Sequence, residues 1–302
     1  MGRLLLFLWL GATAATAAPV RIVSLAPSAT EILFALGAGD RVVGVSDYCA
    51  GPAAALARPR VGGYVNADFE RIVALRPDLL VTVGRGPKLA RFSASQGIPF
   101  RTLTMESVAD VGRAIRELGE IVGLGGQAAD LATALDARLA AVRRRWAAAE
   151  PVATLLVLHR PPGRLAGLMT CNGESFLSEL LAIAGGRNPF AGSPSRYLNP
   201  GLERIVAAAP EAILELEPDS RAWAGHARGH PVDEETRRRL VEDWAALPVI
   251  PAVRNHRIVV LTQPFLLIPS LRLPEIAEAM AAALHPQPPT PAAPTAVTEA
   301  VR

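Results

Sequence analysis

Apolar residues in this chain fall into two kinds of run. Short apolar stretches at 21–25, 42–45, 77–83, 100–103, 153–159, 212–217 and 257–261 have the length and composition of buried strands. Between them apolar residues return every three or four positions, the period of a helix with one buried face. This predicts helices over 30–36, 68–75, 88–96, 108–122, 175–184, 202–209, 232–244 and 274–284. Ser28, with Glu31 three residues on, is expected to open the first of these with a capping box, and Asp68 to cap the second. Strands alternating with helices in this way point to a mostly parallel sheet covered by helices.

One stretch stands apart. Residues 127–146, QAADLATALDARLAAVRRRW, contain no Gly or Pro and are rich in strong helix formers. Leu131, Leu135, Leu139 and Val142 fall on one helical face. A helix of this length is a rod of roughly 30 Å, about the diameter of a small domain. Gly123, Gly125 and Gly126 punctuate its start, and Glu150-Pro151 marks its end. The strand–helix alternation occurs on both sides of it. The expected fold is therefore two α/β lobes bridged by a single long helix, with a ligand cleft between the lobes. The first lobe spans 18–125, the bridging helix 126–149 and the second lobe 150–284. A surface helix on one α/β domain is the alternative that the pattern leaves open. A chain of 302 residues is long enough for two lobes, each with its own core. Two ten-residue stretches repeat: FERIVALRPD at 69–78 and LERIVAAAPE at 202–211, each just before a strand. The repeat argues that the lobes share one architecture.

The ends have their own character. Met1-Gly2-Arg3, the apolar run from Leu4 to Leu10 and the small residues at Ala15-Thr16-Ala17 predict a cleavable secretory signal peptide over 1–17. The run is too short to span a bilayer, which needs about 20 residues. No Cys lies near the cleavage site, so a lipid anchor is not expected, and the mature chain is expected to be exported and soluble. Residues 285–302, rich in Pro, Ala and Thr, are expected to be a disordered tail.

Composition narrows the chemistry. Half the residues are hydrophobic, a fifth are charged, and the net charge is +3. No run of Lys/Arg exceeds the length of Arg143-Arg144-Arg145, which suits a helix C-terminus, so nucleic-acid binding is not suggested. No nucleophile elbow, phosphate loop or H-E-x-x-H occurs. Gly84-Arg85-Gly86 resembles part of a dinucleotide fingerprint, with Glu106 near the expected offset, but Leu89 stands where a third small residue belongs. A cleft-facing loop ahead of a helix is the better reading. Only His226 and His230 have helix-like ligand spacing, and a zinc or manganese site takes three or four ligands, so no metal site is expected. Cys49 and Cys171 would lie in different lobes, and could form a disulfide across the cleft or remain free.

The motifs, taken together, resemble those of the periplasmic binding proteins for cobalamin, haem and iron-siderophores that serve ABC importers. The resemblance begins with IVSLAPSATE at 22–31 and runs through Asp47-Tyr48-Cys49, VGGY at 61–64 and ERIVAL at 70–75. It continues with GESFL at 173–177, AGGRN at 184–188 and PEAI at 210–213. It covers about 21–284 and implies two lobes bridged by a long helix. The cobalamin-binding branch is the most similar, through Tyr48, Tyr64 and the loop carrying Arg85; Phe265 stands in a region that lacks Trp, and haem or a ferric siderophore stays open as the ligand. Tyr48 and Tyr64 are candidate ligand-stacking faces, with Arg85, Arg196, Tyr197 and Phe265 as further candidate contacts. The resemblance also implies a monomeric periplasmic protein with no cofactor beyond the transported ligand. Its partner would be an ABC permease dimer, docked through Glu70 on one lobe and Glu203 on the other. A cleft enzyme would need clustered titratable groups, and a zinc or manganese receptor converging His side chains. The sequence displays neither, so catalysis is not expected.

Overall fold

The computed structural model describes residues 18–63, 65–84, 86–161, 163–219 and 232–286. The expected leader at 1–17, the expected tail from 287 onward, Tyr64, Arg85, His226 and His230 lie outside the described residues.

In the first lobe β1 (Ile22–Ser24) leads into α1 (Pro27–Ala35), and β2 (Val42–Val45) into the short α2 (Ala53–Leu56) and α3 (Phe69–Ala74). Then β3 (Leu79–Val83) precedes α4 (Pro87–Gln96), and β4 (Phe100–Leu103) precedes α5 (Val108–Ile121). The long α6 (Gly125–Trp146) crosses to the second lobe. There the order is β5 (Val152–Val157), β6 (Thr170–Cys171), α7 (Phe176–Ile183), β7 (Gly186–Arg187) and β8 (Tyr197–Leu198). It ends with α8 (Leu202–Ala208), β9 (Ala212–Leu216), α9 (Glu234–Glu242), α10 (Pro251–Arg254), β10 (Ile258–Leu261) and α11 (Leu273–Leu284).

The two main sheets have the strand orders β2-β1-β3-β4 and β7-β5-β9-β10, and every pairing in them is parallel. The orders correspond strand for strand. The repeated sequence occupies the same place in each: α3 enters β3, and α8 enters β9. Both helices end on a non-glycine residue with left-handed backbone, Arg76 at φ 46° and Ala209 at φ 43°. Two residues on, the amide of Asp78 donates to Arg21 O at 2.9 Å and that of Glu211 to Ala153 O at 2.7 Å. The lobes are thus built on one plan. The antiparallel pair of β6 and β8 is an addition to the second lobe. Two-residue strands carry no periodicity, and the hydrophobic pattern did not predict them.

Helix α6 is continuous and touches both lobes, packing on α5 on one side and on α7 and α11 on the other. Ala128, Ala132, Leu135, Leu139, Val142 and Trp146 form its buried stripe, in steps of four and three. Burying a Leu or Val of this kind contributes roughly 1.5–3 kcal/mol. The approach of α5 depends on Gly119, where a Cβ would stand 2.2 Å from the Cβ of Ala128.

The expectation of a separate core in each lobe needs correction. One apolar cluster runs from α1 and α5 through the α6 stripe to α7, α11 and β5. A helix shared by both lobes buries its stripe against each, so the two inner faces merge. The outer faces keep cores of their own, around Val23, Leu80 and Leu89 in the first lobe and Leu155, Ile213 and Trp244 in the second. Along β5, Leu155 and Val157 face the outer core and Leu156 the shared one, the alternation of a strand buried on both sides.

Two local readings also change. Ser28 does not cap α1: the helix begins a turn earlier at Pro27, after Ala26, with no side-chain cap. Proline is pre-set for the first helical position, and Ser28 is buried. Glu31 instead reaches Arg272 of the other lobe at 3.5 Å. His285, assigned to the tail, is ordered: it stacks on Trp146 at 4.6 Å and lies 3.1 Å from Ala184 O.

The sequence left open whether Cys49 and Cys171 are bonded. Cys49 and Cys171 are free, and each is fully buried within its own lobe. The Cys49 thiol donates to Gly51 O at 3.2 Å. Burial pushes both thiols up, Cys171 to about 11. At pH 8 iodoacetamide should therefore leave both thiols of the folded protein unmodified while alkylating both in the urea-unfolded chain. Intact mass spectrometry reads the difference, and equal labelling rates in the two states would contradict the buried placement.

Candidate functional site

A cleft of about 550 Å³ opens between the lobes. The first lobe lines it from loops that follow its strands. Leu25, Ala26, Pro27 and Ser28 follow β1, Tyr48 follows β2, Gly84 follows Val83 at the end of β3, and Met105 and Glu106 follow β4. The second lobe supplies Phe176 at the start of α7, Tyr197 on β8, and Leu267, Ile268 and Pro269 beyond β10. The carboxyl ends of parallel strands are where open α/β sheets leave a crevice, because the crossover helices cover the faces.

The lining is largely apolar and aromatic. Tyr48 is half-buried, and its ring lies against Gly63, where a Cβ would come within 2.5 Å of the ring. Tyr197 is 44% exposed. Its hydroxyl lies 3.4 Å from Glu106 Oε2, and burial together with that carboxylate raises its pKa. Arg196 is not among the lining residues. It pairs with Glu106 at 3.5 Å and with Glu174 at 3.6 Å, joining the second lobe to the first. Phe265 is likewise absent from the lining. It packs on the shared core, with the Arg272 guanidinium 5.0 Å above its ring, while its neighbours from Leu267 to Pro269 face the cleft. Tyr64 and Arg85 lie outside the described residues.

Glu106 is held firmly by its backbone. Its amide donates to Asp110 Oδ2 at 3.1 Å, and its carbonyl accepts from the Phe176 amide at 2.8 Å across the cleft. Asp110 also accepts from the Ser107 amide at 2.9 Å and forms with Ser107 the capping box of α5. Burial alone would raise the Asp110 carboxyl, but the Ser107 hydroxyl, the two amides and Arg113 outweigh it and hold the pKa down. The Val108 amide at the same helix start donates to Glu179 Oε2 of α7 at 2.8 Å. The lobes are therefore tied at the cleft floor as well as through α6.

Glu106 and Phe176 were not read as cleft residues from the sequence, nor were Met105 and residues 267–269. A usable signal existed for Glu106: it stands three residues after the end of β4, as Tyr48 does after β2. The clustering of Glu106, Glu174, Arg196 and Tyr197 had no such signal, because it joins segments far apart in the chain. Among the described residues no group of three or more His, Cys, Asp or Glu side chains is placed to hold a metal ion.

The two polar positions singled out beyond the cleft, Glu70 and Glu203, are both exposed, each in the first turn of its helix. The arginines that follow them are engaged elsewhere: Arg71 pairs with Asp68 at 3.0 Å, and Arg204 lies 5.7 Å from the Phe190 ring centroid.

Residues 22–264 match the protein family described as periplasmic binding protein. The vitamin B12-binding protein of Photorhabdus laumondii is 31% identical over 243 residues, which are 80% of this chain and 86% of that one. The crystal structure of the periplasmic vitamin B12-binding protein of Vibrio cholerae aligns with a TM-score of 0.68 at 26% identity, covering 88% of this chain and 97% of that one. A periplasmic heme-binding protein from Pseudomonas aeruginosa aligns with a TM-score of 0.70, also at 26% identity, covering 89% and 94%.

Proposed function

This chain belongs to the periplasmic binding protein family, and on that premise we propose that it captures a corrinoid, cobalamin, in the inter-lobe cleft and delivers it to the permease of an ABC importer. The observation that carries the reading is the cleft itself: an apolar crevice between two tied lobes, with Tyr48, Phe176 and Tyr197 on its walls. Its volume suits a small-molecule site, for which roughly 300–1,000 Å³ is usual. Aromatic walls offer flat apolar area at low entropic cost, which suits a macrocycle. The names of the most similar relatives support cobalamin as the ligand. Haem is the second reading, favoured by the likeness to the heme-binding protein and by the two tyrosines that line the cleft, since a Tyr can ligate haem iron. The work assigned to the chain is capture and delivery without catalysis. The signal peptide expected at 1–17 would fit export to the periplasm.

Isothermal titration with cyanocobalamin, haem and a ferric siderophore tests the reading. Cyanocobalamin should bind, and replacing Tyr48 and Tyr64 together by Ala should weaken it by about 1–3 kcal/mol, the loss expected for buried aromatic contact. Unchanged affinity in the double variant would assign both rings to packing within their own lobe.

A further inference from the structure

We propose that Glu106 sets which ligands the cleft accepts: its carboxylate selects ligands that present hydrogen-bond donors, such as the amide rim of a corrinoid, and rejects ligands bearing carboxylates of their own, such as haem. The inference rests on the reading of the inter-lobe cleft as the ligand site.

Among the described lining residues Glu106 is the only one that carries a charge. Its partners leave it short of donors. Arg196 reaches it at 3.5 Å and divides itself with Glu174 at 3.6 Å, while the Tyr197 hydroxyl stands at 3.4 Å. Good hydrogen bonds between such groups are several tenths of an ångström shorter, near 2.7–2.9 Å. The Glu106 side chain also remains 40% exposed. A carboxylate has about four acceptor sites, and these two long contacts leave it able to accept from a ligand. Among the described residues two carboxylates share one guanidinium, so these three side chains together are net negative.

Two further features make the acceptor selective. Its backbone is fixed on both sides, by the bond from its amide to Asp110 and the bond from Phe176 to its carbonyl. A ligand anion therefore meets a carboxylate carried on a backbone anchored to both lobes. The surrounding wall is apolar, through Met105, Phe176 and Leu267, and a low-dielectric surround strengthens both attraction to a donor and repulsion of a like charge. Unfavourable pairing of this kind is a common source of specificity, because it penalises the wrong ligand without tightening the right one.

The test is isothermal titration of the full-length mature protein with four probes: cyanocobalamin, a cobalamin with one peripheral amide hydrolysed to the acid, haem, and a neutral ferric trihydroxamate. The wild type should favour the neutral probes. Glu106→Gln keeps the shape, removes the charge and adds a donor. It should shrink the preference for cyanocobalamin over its acid by about tenfold, the scale of one charged hydrogen bond. Arg196→Gln removes the one cation of the cluster among the described residues and should widen that preference. Opposite shifts from the two variants separate a charge effect from a general loss of structure, and thermal melts report folding of each. Haem bound as tightly as the neutral probes by the wild type, or an unmoved ratio in folded Glu106→Gln, overturns the proposal. Binding of the neutral trihydroxamate in place of cobalamin, with haem still excluded, would sink the corrinoid reading and leave the role of Glu106 standing. Cobalamin binding with an insensitive ratio would do the reverse.

Discussion

Glu215→Ala should destabilise the fold by about 3–5 kcal/mol, the scale of removing one partner of a buried ion pair when two buried donors lose their acceptor with it. Glu215 lies on β9, inside the second sheet, and is 1% exposed. It accepts from Arg160 Nε at 2.9 Å and from Trp244 Nε1 at 2.7 Å. Arg160, 3% exposed, also donates to Asp243 Oδ2 at 2.7 Å, Leu240 O at 2.8 Å and Arg164 O at 3.3 Å. The network pins α9 and the short turn of helix at Asp243–Ala246 against the sheet. Truncating Glu215 leaves the Arg160 Nε–H and the indole N–H without their acceptor, while the rest of the guanidinium keeps Asp243, Leu240 O and Arg164 O. Glu215→Gln keeps one acceptor and should cost less, about 1–3 kcal/mol. Replacing Arg160 and Glu215 together by Met should recover part of the loss, since it removes the two most deeply buried charges together, although Asp243 loses its partner and the Trp244 N–H its acceptor. Urea unfolding of the wild type, Arg160→Met, Glu215→Met and the double Met variant forms a double-mutant cycle. A single-variant loss below about 1 kcal/mol would mean that water reaches the guanidinium and that the network adds little.

The second large effect is expected in transport, with ligand binding unaffected. We infer that Glu70 and Glu203 dock the protein on the permease, one on each lobe. They hold the same place in the repeated sequence, and the matching strand orders put that sequence at the same place in each lobe. Both are exposed, and both adjacent arginines are occupied, by Asp68 and by the Phe190 ring. Each carboxylate also follows an exposed apolar residue, Phe69 or Leu202. A partner with two-fold symmetry can read two equivalent carboxylates at once, and such pairs govern orientation and association rate more than raw affinity. Glu70→Lys and Glu203→Lys should leave cyanocobalamin affinity unchanged and each reduce uptake, with the double variant losing uptake by about tenfold or more, as charge reversal at a docking pair implies. Uptake at the normal rate by the double variant would remove the hypothesis.

Much of the architecture was legible in the chain. The strands at 42–45 and 100–103 were read with the observed bounds, and Asp68 caps α3 as expected, accepting from the Arg71 amide at 3.0 Å. Local sterics and period decide these features, and both are written in neighbouring residues. The cleft was legible in part. Tyr48 and Tyr197 line it, while Phe265 turns into the core and Arg196 serves Glu106. A loop residue's direction depends on what packs beneath it, which no window of sequence contains.

The sequence by itself determined the two-lobed plan, the bridging helix and the duplicated unit, because a hydrophobic period and a repeated motif survive without knowledge of distant contacts. Only the tertiary structure decided how segments far apart in the chain are matched. It merged two expected cores into one through α6, buried Cys49 and Cys171 apart, closed Arg160 on Glu215, and brought Glu106 of one lobe to Arg196 and Tyr197 of the other. Polar and ionic partners of this kind are chosen by where the lobes place them, and a residue's type discloses only that it will need one.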